Sequence, residues 1–168
     1  MDREFLTPEQ AAELFVNRLI NRTYKIGVRG IKEELEEGPT GRVPLVELVA
    51  LHQWYQRLDD QDREYVLAVI RHVVYATVFH CLVLLDGAAG YAIPGKTSDF
   101  ALYLQTYAGN TRDSDSPDSV EFSVRFNPPA ITEDLHDMFQ RLLFERAERG
   151  ELDRLPPILE SHKKMGNL

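Results

Sequence analysis

With one cysteine, Cys81, among 168 residues, this chain can form no intrachain disulfide and no cysteine-based metal cluster. Its first ten residues, MDREFLTPEQ, lack both a basic segment and an apolar one, so no secretion signal is read there. Both absences lead to the expectation of a reducing, cytoplasmic location. Cations are also scarce: 19 Lys and Arg stand against 27 Asp and Glu, for a net charge of −8. An acidic surface repels phosphate backbones and anionic lipid, so no nucleic-acid or membrane partner is expected. No HExxH, GxxxxGK[ST] or GxGxxG motif occurs, and no cofactor or metal is predicted.

What is present suits one globular domain spanning 1–168, with 151–168 as a C-terminal extension. The organising stretch is Asp59–Gly87 (DDQDREYVLAVIRHVVYATVFHCLVLLDG). It carries no formal charge from His72 to Leu85, and its apolar residues occupy nearly every angular position of a helix. A helix apolar all round must be enclosed by protein or lipid. The uncharged part is short for a span of about 20 residues, and lengthening it brings in Arg71, so a buried central helix is expected.

Before it, Thr7, Pro8 and Gln10 form a capping-box signal, and Leu14, Phe15, Val16, Leu19 and Ile20 continue a helical stripe to about Arg22. Tyr24–Gly30 (YKIGVRG), with two glycines, reads as a loop or short extended piece. Residues 31–37 read as a short charged helix ended by Gly38-Pro39, and Leu45–Leu58 as a further helix with Leu48, Leu51, Tyr55 and Leu58 inward. After Gly87, period-two alternation predicts a hairpin of strands 100–107 and 120–126. Thr132 is then expected to cap a helix that closes at Gly150. The predicted fold class is α+β and helix-rich: a long buried central helix and a small antiparallel sheet covered on one face by helices.

Several groupings suggest chemistry that geometry removes. His72 and His80 share a helix but lie about 12 Å apart along its axis, too far to grip one ion. His80 and Cys81 are sequence neighbours, which on a helix point about 100° apart, so Cys81 reads as an inert core thiol. Asp113, Asp115 and Asp118 begin like a calcium loop, yet Asp118 stands at the glycine position and Val124 at the closing glutamate position.

One constellation remains. If Phe100, Leu102, Val120 and Phe122 face the helices, the other sheet face presents Tyr103, Gln105, Tyr107, Glu121, Ser123 and Arg125. Tyrosine and arginine are prominent in protein interfaces, and the Asp113–Asp118 loop beside them would steer a basic partner.

Within 51–87, the runs HQWYQRL, DDQDREYV and VVYATVFHCLVLLDG resemble a pattern found in small uncharacterised bacterial single-domain proteins. There it marks a two-helix segment before a β-hairpin. The resemblance covers about a fifth of the chain. Proteins of this look include immunity or antitoxin-like partners of bacterial toxins. It therefore implies a non-enzymatic interaction protein that binds a basic protein domain. The alternative from another class is a small-molecule-binding domain or enzyme, its pocket between helix and sheet around Tyr91, Tyr103 and Arg125. A homo-oligomer is the third reading.

Overall fold

The computed structural model describes residues 6–41, 43–87, 101–107, 120–128, 131–152 and 154–164. Helices α1 (Pro8–Leu19), α2 (Ile26–Glu37), α3 (Val46–Tyr55) and α4 (Asp60–Leu85) precede strands β1 (Tyr103–Tyr107) and β2 (Val120–Arg125). Helices α5 (Leu135–Glu148) and α6 (Pro157–Lys164) follow. The fold is helix-rich α+β with a two-stranded antiparallel sheet. The chain groups into two compact units, one of 1–18 with 80–142 and one of 19–79 with 143–168.

In the first unit, α1 opens as its letters require. The Thr7 amide donates to Gln10 Oε1 (2.8 Å), and the Gln10 amide donates to Thr7 Oγ1 (3.3 Å). Ala11, Ala12 and Val16 bury its inner face, and Phe15 sets its ring 4.9 Å from Phe126. Strands β1 and β2 pair Tyr103 with Arg125, Leu104 with Val124 and Gln105 with Ser123, with an irregularity between Thr106 and Tyr107. Asn127 ties the sheet in place: its Oδ1 accepts the Leu102 amide (2.7 Å) and its Nδ2 donates to the Leu85 carbonyl (3.1 Å). Leu135, Met138, Phe139 and Leu142 of α5 complete this core.

The start of α5 differs from expectation. Its first amides are capped not by Thr132, which is exposed, but by the Asp86 carboxylate, 49 residues away for Leu135. A tertiary carboxylate can meet the orphan donors of a helix end as well as a local cap does. Gly87, expected to end α4, has φ +76°, and Gly150 after α5 has φ +72°.

The second unit holds the largest departure. Tyr24–Gly30 is neither loop nor extended: α1 runs through a π-helical segment, Ile20–Lys25, directly into α2. Each helix-interior glycine costs about 1 kcal/mol relative to alanine, an amount that packing overrides. Gly27 lies against α4, where an added Cβ would sit 3.5 Å from Val74 Cγ1. The C-terminus of α2 is closed by α3. His52 Nδ1 donates to the Leu35 carbonyl (2.9 Å), and Gln56 Nε2 donates to the Glu36 carbonyl (2.9 Å). Of the four residues expected inward on α3, Tyr55 is buried and Leu51 is exposed.

Helix α4 starts as predicted, with the Asp62 amide donating to Asp59 Oδ1 (2.8 Å). Its expected burial holds on one side only. Leu67, Tyr75, Val78 and Leu82 are buried, whereas Tyr65 (60% exposed), Val69 (61%) and Val73 (54%) face outward. Cys81, read as a core thiol, is exposed. At 26 residues, α4 is long and apolar enough by composition to cross a membrane, and 22% of its most apolar stretch is buried. The core helix of a soluble protein satisfies the same length and composition test.

Candidate functional site

Three surfaces compete as the functional site. The first is the sheet face. The β1–β2 register brings Tyr103, Gln105, Ser123 and Arg125 onto one side, as the alternation predicts. Tyr103 is 55% exposed and Gln105 and Ser123 are exposed, while Arg125 is half-buried. Tyr107 and Glu121 lie on the strands, but past the irregularity Tyr107 pairs with Val120. Asp113, Asp115, Asp118 and Tyr91 lie outside the described residues.

The second surface is the outward side of α4 in the second unit. Tyr65, Val69 and Val73 follow one another at four-residue spacing, so they stack on one face. Asp59, Asp60, Asp62 and Glu64, all exposed, stand at its N-terminal end. An apolar face rimmed by charge is the anatomy of a protein-binding surface.

The third, which sequence reasoning missed, is a cavity of about 660 Å³ within the second unit. The π-helical segment contributes Asn21, Tyr24 and Lys25; α4 contributes Leu67 and Arg71; the segment after α5 contributes Glu151 and Arg154. π-Helical turns carry i→i+5 bonds and concentrate at functional sites. Five cationic side chains line the cavity (Lys25, Arg29, Lys32, Arg71, Arg154) against two acidic ones, Glu64 and Glu151.

Both acids are already engaged. Glu64 accepts from Arg154 Nη1 (2.7 Å), and Glu151 accepts from Arg149 Nε (2.6 Å). The Arg149 hydrogen bond holds the Glu151 carboxyl below its ordinary range. Arg29 and Lys32 have their own partners one turn on, Glu33 (3.5 Å) and Glu36 (3.8 Å). Among the described residues, Lys25 and Arg71 have no carboxylate at ion-pair distance. Arg71 Nε is closed to solvent and has no acceptor, a state that costs roughly 1–3 kcal/mol. Tyr24 is buried beside it. Burial pushes its phenol well above the ordinary tyrosine range, opposed in part by the Arg71 charge, so Tyr24 stays a neutral hydroxyl. Asn21 is fixed by the buried Arg146, whose Nη1 donates to Asn21 Oδ1 (2.7 Å).

No letter pattern announces this cavity. INRTYK contains no helix breaker, and a π turn has no composition of its own. The available signal was charge: Lys25, Arg29 and Lys32 recur at helical spacing in an otherwise acidic chain.

A fourth grouping belongs to the frame. The ligand atoms of Asp134, His136 and Asp137 gather within 4.8 Å, a donor set suited to a divalent cation. His136 Nδ1 donates to Asp86 Oδ2 (2.7 Å), the same carboxylate that caps α5.

Comparison of the chain with protein-family models, curated protein sequences and solved structures returns no match.

Proposed function

We propose that this protein is a cytoplasmic, non-enzymatic protein-interaction module of the immunity or antitoxin-like kind. Its partner presents an apolar surface flanked by basic residues. The observation that carries this reading is the outward side of α4, where Tyr65, Val69 and Val73 are more than half exposed. Covering apolar surface is favourable by about 25 cal/mol per Å², so such a face gains from a partner. The acidic residues at its N-terminal end, within a chain of net charge −8, select a basic one.

The test places a photo-crosslinking amino acid at position 69, identifies the captured protein, and reconstitutes the complex from purified components. A basic protein is expected, with affinity falling at least about tenfold in Val69→Asp and Val73→Asp while both variants melt like the wild type. Crosslinks to a second copy of the chain alone, or to lipid, overturn the reading.

The exposed Tyr103 beside Arg125 favours a second contact surface on the sheet. Tyr103→Ala should weaken the same complex about tenfold with little change in melting temperature, since an exposed aromatic carries interface rather than core energy. Unchanged affinity assigns the sheet to the frame.

A further inference from the structure

The cavity of the second unit shares Glu64 with the acidic end of the α4 surface, but the balance of charge on its wall has the opposite sign. In a chain of net charge −8, its wall carries five cations and two acids. Ion pairs with Arg154 and Arg149 occupy both acids. Among the described residues, Lys25 and Arg71 are the lining cations with no carboxylate at ion-pair distance, and the Lys25 charge acts on Glu151 from further off. A cavity wall with more cations than acids favours an anion.

The geometry points to a ligand-binding site for a small water-soluble molecule bearing a phosphate monoester, its anion held between Lys25 and Arg71. Two cations outside ion pairs match the charge of such a group, about −1.5 to −2 at neutral pH, better than that of a carboxylate. The Asn21 amide adds a neutral donor to the same wall. Ile26, Val28, Leu67 and Leu152 line the remainder, so the body of the ligand is apolar or aromatic. A volume near 660 Å³ falls within the range of about 300–1,000 Å³ typical of small-molecule sites. The π-helical segment belongs to this assignment because it supplies Asn21, Tyr24 and Lys25 together.

Calorimetric titration with phenyl phosphate tests the assignment, with inorganic phosphate and benzoate as the other arms. Saturable one-to-one binding is expected for phenyl phosphate, with benzoate at least about tenfold weaker. Lys25→Gln and Arg71→Gln should each weaken phenyl phosphate about tenfold or more, Arg71→Lys should restore part of the loss, and Arg57→Gln should change nothing. If Arg71→Gln fails to fold, as judged by circular dichroism, Lys25→Gln decides, because its half-exposed side chain makes no ion pair among the described residues. Amide chemical-shift changes should cluster in 21–32, 64–71 and 151–154. Binding that never saturates, benzoate binding as tightly as phenyl phosphate, or an unaltered Lys25→Gln variant overturns the proposal. Sedimentation with phosphatidic acid vesicles in place of phenyl phosphate binding overturns it in favour of a lipid head group.

Discussion

Asp86 gathers three donors onto one buried carboxylate: the Leu135 and His136 amides (3.1 and 3.0 Å) and His136 Nδ1 (2.7 Å). Its side chain is 3% exposed, so water cannot replace what it accepts. Asp86→Ala should therefore lower stability by about 3 kcal/mol, combining a lost cap with a lost charge-assisted bond. In a melting curve that corresponds to a fall of roughly 6–12 °C. A shift within a degree or so would show that the cap is dispensable. The LDG ending of α4 made Gly87 legible as a terminator but gave no hint that the neighbouring aspartate caps a helix 49 residues on, because tertiary caps leave no local spacing. Tyr24 yields a second residue-scale expectation. Its folded phenol is held protonated, chiefly by burial, whereas an unfolded tyrosine ionises near 10. Above about pH 10 the unfolded chain releases a proton that the folded chain retains, so unfolding is favoured as pH rises. Between about pH 9 and pH 11 the unfolding free energy of the wild type from urea titration should fall, and that of Tyr24→Phe should fall less, by up to about 1.4 kcal/mol per pH unit. Parallel decline in both proteins would remove Tyr24 from the effect.

Among the elements, those with a signed beginning or end were readable from their letters. The Thr7–Gln10 box, the Asp59 cap of α4 and the glycines at 87 and 150 each state a local requirement of the backbone, and the structure meets them. Gly150 provides the cleanest test. An added Cβ would meet nothing within 4 Å, so the cost of Gly150→Ala comes from φ +72° alone. About 1 kcal/mol is expected in denaturant unfolding, and Gly150→Asn should lose less because asparagine tolerates the left-handed region. Elements set by packing were harder to read. The two glycines of YKIGVRG argue for a break, yet the chain stays helical through both, with room for a Cβ at Gly27 beside Val74 and at Gly30. The hairpin was legible through alternation, and its register places Tyr103 and Arg125 together as expected. The side chains of α4 misled in another way: apolarity all round suggests enclosure all round, and hydropathy carries no information about which side is left open.

At the scale of the whole molecule, charge is divided by location. The chain is acidic in sum, while the cavity of the second unit is basic. A basic protein partner and an anionic small ligand should therefore respond differently to salt. Raising ionic strength from about 0.05 to about 0.5 M should slow association with the protein partner several-fold, since exposed charges are screened over a Debye length of about 10 Å or less. Phenyl phosphate binding should weaken less, because its charges meet inside a cavity. Equal sensitivity in stopped-flow and calorimetric titrations would indicate that both ligands use open surface. The exposure of Cys81 gives these experiments a built-in reporter. As the chain's lone sulfhydryl, it accepts a single maleimide probe with no engineered background, on the helix whose outward side is proposed to meet the partner. Mild oxidation would also trap any pair of chains that brought two such sulfurs together, turning a question of assembly into a band on a non-reducing gel.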